Sequence, residues 1–538
     1  MKRRFPYIPI LLASMLAAGL VLGNFMARNH VPSSRGFRIG STNKLSSIMD
    51  LVQHAYVDSI DTKAIIEKTI PELLKNLDPH STYIPARQMQ EVEEEMQGNF
   101  SGIGVQFSIQ EDTVVVIDVI SGGPSQKLGL LAGDRIVKVN DSLIAGVGIR
   151  NEDVLKLLRG QKGTLVKVSN RRQGYKELFD FEITRGDIPI YSVDVSYMID
   201  EETGFIKVGR FAEQTYFEFM EGMQKLDRLG ANKIIVDLRG NPGGYLTAVI
   251  RMVDEFLSKD EPILITRGKS QPEKIYNATA RASFKDKKVF VLIDEFSASA
   301  SEIFAGALQD NDRAIVIGRR SFGKGLVQEQ IPFSDGSAMR LTVARYYTPS
   351  GRSIQKPYTG GTDNYFDDIY ERMVHGEFLE ADSIQFADSL VYYTKNGRKV
   401  YGGGGIMPDF FVPADTSGRS QYFNQIYQQG LIYSFAFQYS DQHRSKLNGM
   451  QSASEIEKWL DQQSVLESFV AYAASKGIAR DNEGLRISGF IIDTQIKAYI
   501  ARNILGEAGF YPIIRQVDKT LLRAIEISRQ NLLVEHLK

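Results

Sequence analysis

Short apolar runs alternate with helical patterns in the middle of the chain. Four runs are apolar almost throughout, which is typical of strands buried on both faces: 204–208, 233–238, 289–293 and 314–317. Apolar residues recur at helical spacing between the first two runs and again after the third, from about Ala300 onward. Strands that alternate with helices in this way predict an α/β sheet as the central fold.

The segments around this sheet have other patterns. Residues 93–185 combine alternating strands with glycine turns and two short helices, whereas residues 31–92 and 414–538 are mostly helical by periodicity. The pattern therefore predicts five regions: a signal anchor and linker (1–30), a helical region (31–92), a β-rich domain (93–185), an α/β core (186–413) and a helical C-terminal extension (414–538).

The composition narrows the possible chemistry. The chain has 538 residues, of which 43% are hydrophobic and 24% charged, with a net charge of -1. This neutral balance argues against a nucleic-acid partner, which would favour a basic patch. The sequence has no cysteine, so a thiol nucleophile, a disulfide and a thiolate metal site are excluded. We expect no metal and no cofactor.

The first residues are typical of a targeting segment. Lys2, Arg3 and Arg4 precede an uncharged run from Phe5 to Ala27. This run is long enough to span a bilayer of about 30 Å at roughly 1.5 Å per residue. A basic start stays on the cytoplasmic side, so an uncleaved anchor would place the rest of the chain outside. A cleaved signal peptide is the alternative.

One serine and one lysine form a candidate nucleophile and base. Ser299 stands where the third strand gives way to a helix, and Lys324 lies between two glycines after the fourth strand. A serine nucleophile needs a base, and no histidine lies between residues 81 and 374. A lysine can serve if burial keeps its amine neutral.

Each of these residues also has a structural interpretation. Ser299 and Glu302 match the capping box S-x-x-E, in which the serine only accepts a backbone N–H. Ser297 and Ser301 compete with Ser299 for either role. Taken alone, Lys324 is interpreted as a solvated loop lysine. His80, in the segment DPHSTY, is interpreted as a structural histidine in a turn.

Glycines follow the second strand in the segment DLRGNPGG, which ends at Gly243 and Gly244. Glycines after a buried strand can direct backbone N–H groups at an oxyanion. A tight turn into the next helix is the alternative.

The order of strands, glycine turns and helices over residues 93–185 resembles a PDZ domain. In such domains the N–H groups of a glycine-rich loop hold a terminal carboxylate, and the bound peptide adds to the sheet edge as a strand. The matching loop here consists of Gly102, Ile103, Gly104 and Val105. A plain hairpin with two glycines is the alternative.

Several motifs in one order resemble the carboxyl-terminal processing peptidases, also called tail-specific proteases. The motifs are DPHSTY, FSGIGVQF, DLRGNPGG, SASASEIFAGALQD, FGKGLVQ, GRSIQ and the closing segment GGGGIMPD. The resemblance covers roughly residues 40–413. It implies a multidomain α/β protein with a PDZ-like domain and a crotonase-like α/β peptidase core, flanked by the helical segments predicted above.

The resemblance also implies roles for individual residues. Ser299 would be the nucleophile, Lys324 the general base and Gln328 the residue that orients the lysine. The oxyanion hole would use the N–H of Ala300 and that of Gly243 or Gly244. In a straight strand residues 324 and 328 lie about 13 Å apart, so Gln328 reaches Lys324 only if the chain bends near Gly325.

The expected function is a serine endopeptidase that recognises protein C-terminal tails through the PDZ domain and cuts upstream of them. The expected partners are such tails and a membrane, with a homo-oligomer or regulatory partner also possible. The expected location is the periplasm of a bacterial cell envelope, either anchored in the inner membrane or exported after signal cleavage. One alternative is an inactive protein that only binds tails through its PDZ domain. Another is a crotonase-like acyl-CoA enzyme, for which no CoA-phosphate feature is evident.

Overall fold

The computed structural model of the protein describes residues 13–22, 43–120, 122–172, 174–384 and 390–530. The chain divides into two compact units, Met1–Ile70 and Pro71–Lys538. In the first unit residues 13–22 are helical, and two helices follow: α1 (Lys44–Ala55) and the greater part of α2 (Thr62–Leu74). Asn43 caps α1 by accepting the N–H of Ser46 at 3.3 Å.

The predicted anchor, residues 5–27, lies mostly outside the described residues. Within the described ranges, no helix combines the length and the apolar character that a membrane crossing requires.

The second unit begins with β1 (Thr82–Ile84) and α3 (Ala86–Gln97) and continues into a β-rich domain. The elements of that domain are β2 (Asn99–Gly102), β3 (Val105–Gln110), β4 (Thr113–Val119), α4 (Pro124–Lys127), β5 (Arg135–Val139), β6 (Ser142–Leu143), α5 (Asn151–Leu158), β7 (Leu165–Arg171), β8 (Leu178–Thr184) and β9 (Gly186–Pro189). Five strands form one sheet in the order β3-β4-β5-β7-β8, with β6 beside β5, and β2 pairs with β9. Buried aliphatic residues such as Val116, Ile136 and Val168 form its core.

The predicted α/β sheet is confirmed. Its elements in chain order are β10 (Val193–Met198), β11 (Thr203–Val208), α6 (Thr215–Arg228), β12 (Lys233–Asp237), α7 (Leu246–Asp254), β15 (Lys288–Ile293), α8 (Ala300–Asp310), β16 (Ala314–Gly318) and β21 (Phe410–Phe411). The strand order is β10-β11-β12-β15-β16-β21, and every pair from β11 to β21 is parallel. The carboxyl ends of β12, β15 and β16 therefore lie at one edge, where ligand sites of parallel sheets form.

A second sheet borders that edge. Its strands are β1, β13 (Pro262–Gly268), β14 (Lys274–Asn277), β17 (Leu326–Pro332) and β18 (Ala338–Tyr347), in the order β1-β18-β13-β14 with β17 paired to β18. The remaining part of this region holds α9 (Thr362–Val374), a 3-10 turn (Ala381–Ser383), β19 (Val391–Tyr393) and β20 (Lys399–Tyr401).

The C-terminal extension is helical, as its periodicity predicts. It comprises α10 (Gln421–Gln428), α11 (Leu431–Gln442), α12 (Arg444–Leu447), α13 (Ala453–Leu460), α14 (Val465–Ser475), α15 (Asn482–Leu505), α16 (Glu507–Ile514), a 3-10 turn (Arg515–Val517) and α17 (Lys519–Arg529). These helices have a core of their own, in which Ile456, Phe469 and Ile492 are completely buried.

Both faces of the α/β sheet are covered. On one face the strands pack against α6, α7 and α8, with Phe219, Met252 and Phe304 fully buried between the layers. On the other face Leu521 and Ala524 of α17 pack on strand residues that include Phe290. Full burial of a leucine side chain stabilises a fold by about 1.5–3 kcal/mol. The last helix of the extension therefore belongs to the structural core of the sheet.

Candidate active site

The candidate residues from distant parts of the sequence meet in one cleft at the carboxyl edge of the sheet. The cleft has a volume of about 890 Å³. Its walls include six of the residues that bear on the chemistry: Gly243, Gly244, Ser299, Lys324, Gln328 and Tyr346. Val92 and Met96 of α3 form an opposite wall, which the sequence did not indicate. The cleft therefore combines a possible nucleophile, a possible base and a peptide-sized space.

The backbone of Ser299 is strained. Its φ is 55° and its ψ is -113°, outside the extended conformation that an N-cap serine normally adopts. The Glu302 carboxylate accepts the Ser299 N–H at 2.9 Å, which is one half of a capping box. The Ser299 hydroxyl lies near the Glu302 N–H but makes no cap hydrogen bond. Strain of this kind clusters at functional sites, and here it leaves the hydroxyl available to the cleft.

The two competing serines are occupied structurally. The buried Ser297 hydroxyl donates to the carbonyl of Leu238 at 2.9 Å, and the buried Ser301 hydroxyl donates to the carbonyl of Asn241 at 2.9 Å. Both hydroxyls thus tie the turn around Ser299 to the loop after β12. Their geometry leaves Ser299 as the candidate nucleophile of the segment.

Lys324 lies half-buried in the same cleft, and its environment favours the neutral amine. Burial lowers the pKa of the ammonium group to about 8, and the positive charge of Arg340 acts in the same direction. The carboxylates of Glu302 and Asp78 raise this pKa and limit the decrease. A lysine of ordinary pKa near 10.4 is almost wholly protonated at neutral pH, so this shift makes a base accessible.

Glu302 connects the serine to the lysine. Besides the Ser299 N–H, its carboxylate accepts the N–H of Gly323 at 2.7 Å, the N–H of Lys324 at 2.8 Å and the hydroxyl of Ser321 at 2.5 Å. Burial raises the pKa of Glu302 to about 7, although these four donors oppose the increase. A buried carboxylate that accepts four hydrogen bonds holds both loops in one arrangement.

Tyr346 of β18 makes a second connection. Its hydroxyl lies 3.1 Å from the carbonyl oxygen of Ser299 and also hydrogen-bonds to the carbonyl oxygen of Lys324. The tyrosine ring is buried beneath the cleft. The Glu302 carboxylate and the Tyr346 hydroxyl thus each contact the backbone of both Ser299 and Lys324, and together they fix the distance between the two residues.

The glycine loop after β12 lies directly against the serine. A methyl group at Gly243 would stand 2.7 Å from the Ser299 Cβ and 2.9 Å from the Ala300 nitrogen. The Gly243 N–H already donates to the Asn241 side chain at 2.9 Å. Among the hydrogen bonds of the described chain, the N–H groups of Gly244 and Ala300 have no acceptor. Of the two predicted glycines, Gly244 is thus the better donor for an oxyanion.

Gln328 lines the same cleft, but it does not hydrogen-bond to Lys324 in the part of the chain that the structure describes. Its side-chain nitrogen is buried without a partner. Strand β17 begins at Leu326, and its pairing with β18 shifts register between Val327 and Gln328. An irregularity in strand pairing therefore lies directly before Gln328, within the strand.

The glycine loop of the PDZ-like domain has the features of an anion site. Gly104 has a φ of +78°, which favours glycine, and a methyl group there would lie 3.0 Å from the Ile188 Cδ1. The carbonyl of Ile103 is held by the Ser125 N–H at 3.1 Å and the Ser125 hydroxyl at 2.6 Å. Among the described residues, nothing accepts a hydrogen bond from the N–H groups of Ile103 and Gly104. Gly102 and Val105 flank this pair as the ends of β2 and β3.

His80 lies outside the cleft lining. Its Nε2 is 2.9 Å from the Tyr365 hydroxyl, and its ring packs edge-on against Tyr365. Burial lowers the pKa of this imidazole to about 3, and the charge of Lys324 contributes to the decrease. A neutral histidine that packs between rings agrees with the structural interpretation.

Sequence reasoning missed the roles of Glu302, Tyr346 and Asn241. The signal for Glu302 was present in the S-x-x-E pattern, but that pattern was weighed as an alternative to catalysis. The structure shows that one carboxylate can cap the helix and join the two reacting groups. No local pattern marks Tyr346, because its contacts cross between two sheets.

Comparisons with known proteins identify the family of the chain. The model of peptidase family S41 matches residues 202–364, and the PDZ domain model matches residues 101–183. A third model, described as a family of unknown function, matches residues 422–506 in the extension. A carboxy-terminal-processing protease of Bartonella bacilliformis is 36% identical over 317 residues, which is 58% of this chain and 72% of the relative.

The chain belongs to peptidase family S41. The carboxy-terminal processing protease CtpA of Bacillus subtilis is a second relative, 32% identical over 361 residues, with 66% of this chain and 76% of the relative covered. Among solved structures, the photosystem II D1 C-terminal processing protease is 25% identical and covers 58% of this chain and 89% of its own, with a TM-score of 0.33.

This S41 chain is therefore a serine protease with a PDZ domain. Its relatives carry protease names, so the predicted peptidase function is confirmed over the alternative of an inactive tail-binding protein.

Proposed function

We propose that this S41 peptidase cuts protein chains near their C-terminus, with Ser299 as nucleophile and Lys324 as general base. The observation that carries the proposal is the shared cleft, in which a strained serine and a lysine of lowered pKa are joined by Glu302. Serine and lysine together suffice for acyl transfer when the amine is neutral.

The reaction follows from this geometry. The neutral Nζ of Lys324 accepts the proton of the Ser299 hydroxyl while Oγ attacks the scissile carbonyl carbon. The N–H groups of Ala300 and Gly244 donate to the developing oxyanion, and the α8 N-terminus adds a favourable dipole. The C–N bond then breaks as Lys324 returns the proton to the leaving amine. Water, deprotonated in the same way, attacks the acyl-enzyme and releases Ser299.

The side-chain amide of Gln328 supports the base. Its nitrogen is buried and lacks a partner in the described part of the chain, so the amide has hydrogen-bonding capacity that the fold does not use. A neutral lysine can donate to the amide oxygen while its lone pair faces Ser299. This orientation would favour proton transfer in the required direction.

The PDZ domain supplies recognition of the substrate tail. The free N–H groups of Ile103 and Gly104, with Gly102 and Val105 at either side, bind the terminal carboxylate. The preceding residues of the tail add along the edge strand β3. Binding the tail raises the effective concentration of the upstream peptide at the cleft.

A peptide assay tests this function directly. The protein should cut a peptide with a free C-terminal tail, and Ser299→Ala should lower kcat by about 10⁴-fold or more. Ser297→Ala is the matched control, because that hydroxyl only anchors the turn. Cleavage by Ser299→Ala at the rate of the unaltered protein would show that another residue is the nucleophile.

We further propose that the catalytic region lies in the periplasm, attached to the inner membrane by the N-terminal run. The support is the basic start at Lys2, Arg3 and Arg4 ahead of the uncharged run. Protease added to spheroplasts should digest the region after Arg28. Complete protection until the cells are lysed would place the peptidase in the cytoplasm.

A further inference from the structure

The C-terminal extension touches the active-site loop through one ion pair. Arg239 lies two residues after the end of β12, directly before the glycine loop 240–244. Its guanidinium donates to both oxygens of Asp518, at 2.8 and 2.6 Å. The two residues are 279 positions apart in the chain. Such a two-point contact restrains both distance and orientation, which a single ion pair does not.

Arg239 is also fixed in place by hydrogen bonds to Asp237. Its N–H and side chain donate three hydrogen bonds to Asp237, at 2.9, 3.0 and 2.6 Å. Burial would raise the pKa of the Asp237 carboxyl, but the charges of Arg239 and Lys207 outweigh burial and lower it to about 2. Lys207 also donates to the Arg239 carbonyl. Asp518 is the member of this network that comes from outside the α/β core.

Only a few residues separate this network from the proposed oxyanion donor. The next residue, Gly240, donates its N–H to Asp294 at 2.9 Å. The side-chain oxygen of Asn241 accepts the Gly243 N–H at 2.9 Å, and its side-chain nitrogen donates to the Val208 carbonyl at 2.9 Å. Arg239 and Gly244 are therefore linked by a short segment in which Gly240, Asn241 and Gly243 are each hydrogen-bonded.

We propose that Asp518 is a positioning residue for the oxyanion loop, so that the C-terminal extension forms part of the support of the active site. The inference rests on the proposed role of the Gly244 N–H. The proposed role of Asp518 means that the extension influences the reaction. Packing of α17 on the sheet would by itself require only apolar contacts. The side chains of Arg239 and Asp518 are 20% and 23% exposed, so the pair is largely shielded from solvent and salt.

Asp518 has a second role that must be separated from the first. It is the N-cap of α17, where its side chain accepts the Leu521 N–H at 3.0 Å. An asparagine caps a helix about as well as an aspartate, but it removes the charge from the two-point contact. A glutamate keeps the charge and is a poorer cap. Asp518→Asn therefore keeps the helix cap and removes the charged contact, whereas Asp518→Glu keeps the charge and weakens the cap.

The experiment uses the full-length protein with Asp518→Asn, Asp518→Glu and the neighbouring control Lys519→Gln. Lys519 lies in the same helix and pairs with Asp415 at 2.8 Å, away from the glycine loop. Three quantities are measured for each protein: kcat and KM on a peptide with a free C-terminus, the thermal midpoint of unfolding, and amide hydrogen exchange over residues 239–245.

Asp518→Asn should lower kcat by about tenfold with KM within about twofold, since loss of one oxyanion donor costs about 10²–10³-fold and a shifted donor costs less. Exchange over 239–245 should accelerate, and the midpoint should stay near that of the unaltered protein. Asp518→Glu should recover most of kcat, and Lys519→Gln should change none of the three quantities.

Unchanged kcat and unchanged exchange in Asp518→Asn would overturn the inference. So would a loss in Asp518→Glu that equals the loss in Asp518→Asn and follows the thermal midpoint, because Asp518 would then be only a helix cap. If the unaltered protein cuts no peptide, or Ser299→Ala cuts equally well, the proposed function fails instead. The exchange measurement over residues 239–245 still decides the role of Asp518 in that case.

Discussion

At the scale of single residues, the proposed mechanism depends on the protonation state of Lys324. Burial and Arg340 together lower its pKa to about 8, against an ordinary value near 10.4. About a tenth of the lysine is then neutral at pH 7, whereas less than a thousandth would be neutral without the shift. The carboxylate of Glu302 raises this pKa and prevents a larger decrease, so the group that positions the lysine also limits the fraction of neutral amine.

The pH dependence of the reaction tests this account. Because the neutral amine is the active form, kcat/KM should rise with pH through about 8 and then level off. Lys324→Arg should be as inactive as Lys324→Ala, since a guanidinium stays protonated throughout this range. The measurement is a pH profile of peptide cleavage from about pH 6 to about pH 10. Circular dichroism is the control for folding. Turnover by Lys324→Arg near that of the unaltered protein would identify a different base.

At the scale of elements, three loops at the carboxyl ends of parallel strands assemble the site. The loop after β12 supplies the glycines, the turn after β15 supplies Ser299, and the loop after β16 supplies Lys324. Buried hydroxyls and the Glu302 carboxylate tie these loops together. Placing reacting groups on short loops of a rigid sheet limits their motion, which favours catalysis by pre-organised groups.

The close approach of two of these loops requires a glycine at position 243. In Gly243→Ala the new methyl group would meet the Ala298 carbonyl oxygen and the Ser299 Cβ, both at 2.7 Å, at a φ of +99°. We expect kcat to fall by about 100-fold, since a displaced serine and a displaced oxyanion donor each reduce the rate.

Gly240→Ala is the matched control for that substitution. Gly240 also has a positive φ, +68°, but a methyl group there meets nothing within 4 Å. It should cost about 1 kcal/mol of stability and leave kcat within a few-fold. Comparing the steady-state kinetics of the two variants separates the effect of backbone strain from the effect of the steric clash at the new methyl group. An equal decrease of kcat in the two variants would argue against close contact at Gly243.

At the scale of the whole second unit, the PDZ domain and the extension contact each other. Arg135 of β5 lies 3.4 Å from Asp441 of α11. The extension thus contacts the PDZ domain through Asp441 and the residue before the glycine loop through Asp518. The proposed sites of recognition and catalysis lie on separate domains of one unit, and the helical extension contacts both domains.

Capture of the tail can be tested by removing its charge. Amidation of the C-terminus of a peptide substrate should raise KM strongly, because the loop at Ile103 and Gly104 would lose charge-assisted hydrogen bonds of roughly 1.5–3 kcal/mol each. The kcat at saturation should change little, since the scissile bond is remote from the amide. Steady-state kinetics on matched free-acid and amide peptides give both values. Equal KM for the two peptides would show that this loop binds no carboxylate.

The sequence by itself determined the elements and the kind of chemistry. Apolar runs such as 289–293 predict buried strands because a strand covered on both faces needs apolar residues throughout, and β15 (Lys288–Ile293) agrees. The absence of cysteine excluded a thiol nucleophile, and the absence of histidine between residues 81 and 374 made Lys324 a candidate base. These conclusions depend on local periodicity and on composition, and both can be read directly from the sequence.

Only the tertiary structure decided how the groups meet. It assigned the Gly243 N–H to the Asn241 side chain, showed no acceptor for the Gly244 N–H among the described residues, and brought Asp518 to Arg239. The physical reason is that side-chain contacts between distant segments depend on strand order and loop closure. Local patterns report what each segment buries, whereas the identity of the partner is fixed by the packing of the whole unit.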